Sequence, residues 1–246
     1  MAEHPARTHS LRLIVGLVLV YAVLQGMATA LESLRGEAGI GIALAVVAGL
    51  MGVECFLFQR TPALALRELG LGRPSGAGLL LAAAISGALL GVLPGFALAT
   101  GTTIALEPGW SAFLPGLFAQ AGIAEEVLFR GYLFGHLRRG RSFWRAAVIA
   151  TGPFVLVHLI LFTSMAWPIA LAAVVLSVTL SFPLARMYEL AGRTIWAPAV
   201  VHTVVQGAIK VIAATGPAAA YLPLVWMAAA ASLPFCVFLV RAPRSD

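Results

Sequence analysis

Long apolar stretches separated by short polar ones run through almost the whole of this chain. Eight stretches approach or exceed the roughly 20 residues that a helix needs to cross the hydrocarbon core of a bilayer. They cover residues 11–31, 38–58, 77–100, 111–136, 143–163, 167–188, 194–214 and 220–240. The pattern predicts an all-α polytopic membrane helix bundle of about eight transmembrane helices. No internal repeat interrupts it, so we expect residues 1–246 to form a single integral-membrane domain.

The composition agrees with a protein whose main partner is the lipid bilayer. The chain is 61% hydrophobic and only 11% charged, whereas soluble domains carry about 25% charged residues. Its formal charge of +6 would suit nucleic acid in a soluble protein. Because the basic residues lie in the connections between apolar stretches, we interpret them as topology signals and expect no nucleic-acid partner.

Basic residues are concentrated in alternate connections. If the N-terminus lies inside, thirteen arginines fall on the inside, and the outside segments hold Arg35 and Lys210. The thirteen are Arg7, Arg12, Arg60, Arg67, Arg73, Arg138, Arg139, Arg141, Arg145, Arg186, Arg193, Arg241 and Arg244. The positive-inside rule therefore predicts that both termini are cytoplasmic. The preference for Arg over Lys and the abundance of Ala are typical of a high-GC bacterial genome, which predicts the bacterial cytoplasmic (inner) membrane.

A few ionisable and amide side chains interrupt the apolar stretches of the second half of the chain. They are Glu125, Glu126 and Arg130 in the fourth stretch, His158 in the fifth, and His202 and Gln206 in the seventh. A charged residue at the centre of a bilayer costs about 2.5–3.5 kcal/mol on insertion scales. At 1.5 Å per residue, these groups lie roughly 12–22 Å from the predicted cytoplasmic ends of their helices. They share one layer near the midplane, so we expect the catalytic core to lie in residues 111–214.

Helical spacing predicts which of these side chains meet. Glu126 and Arg130 are four residues apart and can form an ion pair, and His202 and Gln206 share a face for the same reason. Glu125 is rotated by about 100° from Glu126 and is free to point elsewhere. His136 is expected at a cytoplasmic helix end, where a histidine has no special role.

Residues of these types can perform hydrolysis. A carboxylate can act as general base and acid, and a neighbouring histidine can help to hold a water molecule. A second histidine with an amide can donate hydrogen bonds to a developing oxyanion. The alternative is a zinc site made by Glu125, His158 and His202 with an open position for water. The residues alone do not separate the two mechanisms.

Three short motifs resemble those of a known family. The segment "EEVLFR", Glu125 to Arg130, resembles an EExxxR motif, and "FVLVH", Phe154 to His158, resembles an FxxxH motif. The segment "WAPAVVHTVVQ", Trp196 to Gln206, resembles a third motif, HxxxN, with its lead-in. Together and in this order they resemble the CPBP (CAAX protease and bacteriocin-processing, Abi) family, which includes the type II CAAX prenyl endopeptidases.

The resemblance implies an intramembrane endopeptidase of the glutamic type, without a cofactor, rather than a zinc metalloprotease. It implies that Glu125 is the catalytic glutamate, that His158 helps to activate water, and that His202 and Gln206 are the oxyanion residues. Glu126 and Arg130 would be a supporting ion pair. Gln206 departs from the family pattern because the family has Asn there, and its amide extends one methylene further.

The expected substrate is a membrane-associated peptide or protein: a CAAX-type C-terminus, a peptide precursor or a sorting tail. Two other functions are consistent with the same residues. One is a catalytically inactive membrane protein of the same fold that binds peptides or confers immunity. The other is a proton-coupled transporter in which glutamate and histidine relay protons.

Overall fold

The protein is a bundle of helices, as the hydropathy pattern predicts. The computed structural model describes residues 5–31, 34 and 36–241, so Arg35 and Arg244, which entered the charge count, lie outside the described residues. The α-helices are α1 (Pro5–Ala30), α2 (Ala38–Gly52), α3 (Pro62–Glu68), α4 (Gly76–Thr100), α5 (Trp110–Leu117), α6 (Gly135–Arg138), α7 (Phe143–His158), α8 (Trp167–Leu190), α9 (Trp196–Gly207) and α10 (Leu222–Ser232).

Tighter and wider helical turns extend several of these helices. Wide π-helical turns form Val53–Leu57, Phe118–Ala124 and Val127–Phe134, and tight 3₁₀ turns form Leu159–Thr163, Ala208–Lys210, Ala219–Tyr221 and Leu233–Leu239. Within the described residues, seven continuous helical segments are long and apolar enough to cross a membrane. They are Thr8–Ala30, Ala38–Leu57, Gly76–Thr100, Trp110–Arg138, Phe143–Thr163, Trp167–Leu190 and Ala219–Leu239. Their ends agree with seven of the eight predicted spans to within a few residues, and the protein is an integral membrane protein.

The remaining predicted span, residues 194–214, has a different structure. Helix α9 is only 12 residues long, and after a 3₁₀ turn the chain enters strand β2 (Ile212–Thr215). This strand pairs antiparallel with β1 (Thr103–Leu106), with Thr103 opposite Thr215. The prediction of an all-α chain missed this sheet because hydropathy does not distinguish a short apolar strand from the continuation of a helix.

The connections gather at two ends of the bundle. At the arginine end, which we define by residues 58–75, 138–145 and 186–195, the Ile195 amide donates to the Gly70 carbonyl and the Arg139 side chain pairs with Glu68. At the sheet end, defined by β1, β2 and residues 159–166, the Glu107 amide donates to the Val211 carbonyl. The two ends lie at opposite ends of α4.

Helix α9 joins these two ends even though it is short. The indole nitrogen of Trp196, at its start, donates to the Gly72 carbonyl at the arginine end, at 2.7 Å. The chain that follows α9 enters β2 at the sheet end. His9 near the start of α1 lies beside His136, and Val240 lies beside Arg186, so both ends of the described chain are at the arginine end. The number of eight membrane spans and the cytoplasmic position of this end stay predictions.

The buried apolar residues form two clusters with the polar layer between them. One cluster involves α1, α2, α7 and residues 124–137, and the other involves α4, α8, α9 and α10. Gly122 lets the two halves approach, because a Cβ there would lie 2.6 Å from Thr203 Oγ1 and 3.1 Å from the Ala199 carbonyl oxygen. This contact brings Glu125 and Glu126 within reach of the polar side chains of α9.

Candidate active site

Glu126 connects two helices at the centre of the bundle. Its Oε1 atom accepts a hydrogen bond from Arg130 Nη1 at 2.9 Å and lies 2.6 Å from His202 Nδ1. The Glu126 side chain is fully buried, and those of Arg130 and His202 are almost so. Because a buried carboxylate needs partners to offset its loss of hydration, Arg130 and His202 together fix the position of Glu126. Helical spacing predicted the contact between Glu126 and Arg130, but it did not predict the contact between Glu126 and His202.

The second ring nitrogen of His202 faces the other two polar groups. His202 Nε2 lies 2.9 Å from Gln206 Nε2 and 3.8 Å from Glu125 Oε2. If Nδ1 donates to the Glu126 carboxylate in the neutral ring, Nε2 accepts a hydrogen bond from the Gln206 amide. In that state, Gln206 keeps a second N–H free and His202 has no donor left. The expectation that His202 and Gln206 both donate to an oxyanion stays a prediction.

His158 is held by its own helix and not by the glutamates. Its Nδ1 atom lies 2.7 Å from the Phe154 carbonyl oxygen, which can only accept, so Nδ1 carries a proton, and in the neutral ring Nε2 keeps a free lone pair. Phe154 also packs against Phe129 and lies under the Arg130 guanidinium, whose carbon is 4.6 Å from the ring centroid. This cation–π contact links the arginine of the first motif to the phenylalanine of the second, and the sequence analysis did not predict it.

A cavity of about 460 Å³ connects these groups. Glu125, His158, His202 and Gln206 all line it, whereas Glu126 and Arg130 lie behind its wall. The Glu125 side chain is 18% exposed, in contrast to the fully buried Glu126. The cavity thus separates the two adjacent glutamates: one can reach a ligand, and the other can act only through its neighbours.

Two π-helical stretches flank the two glutamates. Glu125 and Glu126 lie between Phe118–Ala124 and Val127–Phe134. Wide turns rotate side chains relative to regular α-helical positions, and they are frequent at functional sites. Hydropathy and spacing predicted a regular helix here, because no residue pattern in this stretch specifies a wide turn.

The described residues do not provide a zinc site of the expected composition. Among them, no three His, Cys, Asp or Glu side chains lie close enough together to hold a metal ion. Glu125, His158 and His202 therefore do not form a ready zinc site in this arrangement, and zinc binding by these residues stays the alternative prediction.

A second buried carboxylate–histidine pair was missed by the sequence analysis. His136 Nε2 lies 2.6 Å from Glu54 Oε1, and both side chains are almost completely buried. The expectation that His136 sits at an unremarkable helix end was wrong, because α1 and the end of α2 cover it. The charged residue Glu54 in an apolar stretch was the available signal, since such a group needs a partner.

The comparisons with known proteins address the same part of the chain. Residues 107–208 match a family model described as type II CAAX prenyl endopeptidase Rce1-like. This is the family that the three motifs resemble. The Rce1-like match includes all six predicted site residues and supports, in general terms, a CAAX-type endopeptidase that acts within a membrane. No curated protein and no solved structure matched the chain.

Proposed function

We propose that this protein is an intramembrane endopeptidase of the glutamic type, with Glu125 as its general base. The observation that carries the proposal is the cavity, which collects one accessible carboxylate, a histidine with a free ring nitrogen and an amide. These groups suit hydrolysis of an apolar peptide that enters the cavity. The Rce1-like match supports the same class of reaction.

The proposed reaction begins with a water molecule held by Glu125 and His158 Nε2. Glu125 takes a proton from this water as the oxygen attacks the peptide carbonyl carbon. The carbonyl oxygen becomes an oxyanion. When the C–N bond breaks, the proton on Glu125 passes to the leaving nitrogen. The products are a carboxylic acid and an amine, which become a carboxylate and an ammonium when the acid gives its remaining proton to the amine, and Glu125 is again ionised.

Gln206 stabilises the oxyanion in this scheme, and His202 orients it. A donor is effective only if it sits about 2.7–3.1 Å from the developing charge, so the amide must be held in place. His202 Nε2 accepts one Gln206 N–H and leaves the second for the substrate. Glu126 holds the His202 ring from the other side, and Arg130 neutralises Glu126. The hydrogen bond to His202 thus supports the longer Gln side chain. This support explains how an amide donor that is one methylene longer than Asn can be held in place.

Incubation with membrane-anchored precursors tests the proposal. The purified protein and its Glu125→Gln variant are reconstituted with precursor proteins from the same genome, and the fragments are sequenced from their new N-termini. We expect fragments with the wild type and none with the variant. Equal fragments from both would show that Glu125 is not the base. Binding of precursors without cleavage by the wild type would favour the inactive peptide-binding alternative.

A further inference from the structure

The cavity has a closed side and an open side. Toward the arginine end it is closed by Phe129 and Phe154, whose rings meet edge to face with centroids 4.7 Å apart. Both residues are almost completely buried, and the Arg130 guanidinium lies over the ring of Phe154. We call these three residues the floor. A peptide could not pass the floor without displacing the buried Arg130–Glu126 pair.

On the other side the cavity continues to the sheet end. The cavity-lining residues of each helix lie in the middle of that helix or in the half nearer the sheet end. Helix α1 contributes Tyr21 to Ala28, α8 contributes Ile169 to Leu180, and the chain after α9 contributes Ile209 and Lys210. At the level of the connection between α7 and α8, Met165 lines the cavity and is 47% exposed. The exposed part of the cavity lining therefore lies at this connection, which we call the mouth.

The charge distribution identifies the two sides of the membrane. Arg60, Arg67, Arg73, Arg138, Arg139, Arg141 and Arg193 lie at the arginine end. In the described part of the chain, Lys210 is the one basic residue near the sheet end. The positive-inside rule assigns the arginine end to the cytoplasm. The mouth then faces the opposite side.

We infer that the catalytic cavity is entered from the extracytoplasmic side, and that the substrate is an apolar peptide segment in the outer half of the bilayer or at its outer surface. The identity of the ligand as a substrate rests on the proposed function, whereas the direction of access does not. The walls between mouth and floor are largely apolar and include Leu161, Met165 and Ile169. Such walls suit a membrane-anchoring segment that enters laterally from the bilayer or from the extracytoplasmic surface.

The inference narrows the substrate class. A prenylated C-terminus anchored in the cytoplasmic leaflet would meet the arginine end, where the floor separates it from Glu125. A segment anchored in the outer leaflet meets the mouth directly. We therefore expect the scissile bond of a natural substrate to lie near the extracytoplasmic end of its anchor.

Thiol labelling tests the direction of access without requiring catalysis. The native thiols are removed as Cys55→Ala and Cys236→Ala, and Ala173→Cys is introduced on the cavity wall of α8. Val175→Cys is the matched control, because Val175 is two residues away on the same helix and is 51% exposed on the outside of the bundle. Leu64→Cys marks the arginine end. Intact spheroplasts and inverted vesicles are treated with a membrane-impermeant trimethylammonium methanethiosulfonate.

We expect Ala173→Cys to be labelled in spheroplasts and Leu64→Cys in inverted vesicles, with Val175→Cys unlabelled in both. Labelling of Ala173→Cys from the same side as Leu64→Cys would overturn the inference, as would its failure to react from either side. Labelling from the outside together with no cleavage of any precursor would leave the access route standing and reject the proposed function. A sequenced cleavage site at the cytoplasmic end of an anchor would support the proposed function and contradict the inferred direction of access.

Discussion

Two buried carboxylate–histidine pairs occur in this bundle, and their local geometry is nearly the same. Glu126 Oε1 lies 2.6 Å from His202 Nδ1, and Glu54 Oε1 lies 2.6 Å from His136 Nε2. Both glutamates come from apolar stretches of the sequence, and both are almost completely hidden from solvent. By residue type and distance alone, either pair could be called a reactive site.

Their surroundings differ. The Glu126–His202 pair has Arg130 on one side and, on the other, Gln206, Glu125 and the cavity. The Glu54–His136 pair is enclosed by the rings of His9, Phe58 and Tyr132, and neither member lines the cavity. The Glu126–His202 pair is part of a candidate site because it adjoins the cavity and the accessible carboxylate of Glu125. The other pair fastens α2 to the helix that carries Glu125.

The largest expected effect follows from replacing the accessible carboxylate. Glu125→Gln should reduce the cleavage rate by about 10²–10⁴-fold, the usual contribution of a general base. The thermal unfolding temperature should stay close to the wild-type value, because Glu125 is partly exposed and its contact with His202 is long, at 3.8 Å. Glu54→Gln is the matched control, and an equal loss of activity in that variant would erase the distinction between the two pairs.

Removing the cation behind the site should affect folding more than chemistry. Arg130→Ala leaves Glu126 buried beside His202 alone, and breaking a buried pair costs about 3–5 kcal/mol. We expect a lower unfolding temperature in detergent and lower abundance in the membrane. Arg130→Lys keeps the charge but not the flat contact with Phe154 and should fall in between. Normal stability with loss of turnover alone would instead indicate that Arg130 takes a direct part in catalysis.

The proposed oxyanion donor should show an effect confined to turnover. Gln206→Ala should lower kcat by about 10²–10³-fold, with KM nearly unchanged because the contact forms only in the transition state. Gln206→Asn should also lower kcat, since the shorter amide retreats from the substrate and from His202. Higher activity in Gln206→Asn would mean that Gln206 marks a weakened site.

The enclosed pair should influence stability without influencing the reaction. Glu54→Leu leaves His136 buried without its partner and should cost about 1–3 kcal/mol. The double variant Glu54→Leu/His136→Phe should recover much of this loss, because removing both partners leaves no unpaired polar group. Specific activity of the folded fraction should stay within a few-fold of wild type in both. A selective loss of kcat would link this pair to the site.

The smallest effect is expected from metal removal. In the proposed mechanism water is activated by Glu125 and His158, so chelators should leave cleavage unchanged. If chelation abolished cleavage and zinc restored it, a Lewis acid would have to replace the general base. The difference between the two carboxylate–histidine pairs would then be that one of them binds metal, and not that one of them is accessible.

The sequence by itself determined the bundle and most of the candidate residues. An apolar stretch of about 20 residues has few alternatives to a membrane helix, which is why seven predicted spans reappear with nearly the same ends. Charges inside such stretches are costly, so Glu125, Glu126 and Arg130 stood out without any structure. Regular spacing sufficed for the Glu126–Arg130 pair because its partners are one turn apart.

The tertiary structure decided which of these groups meet and which can be reached. The Glu126–His202, Glu54–His136 and Arg130–Phe154 contacts join residues from different helices, and local spacing carries no information about them. The π-helical stretches on both sides of the glutamates and the short α9 with its strand also depend on packing against neighbours. The same holds for access, because Glu125 lines the cavity whereas Glu126 is buried behind it. Burial and access are properties of the packed helices together, so no single stretch of sequence contains them.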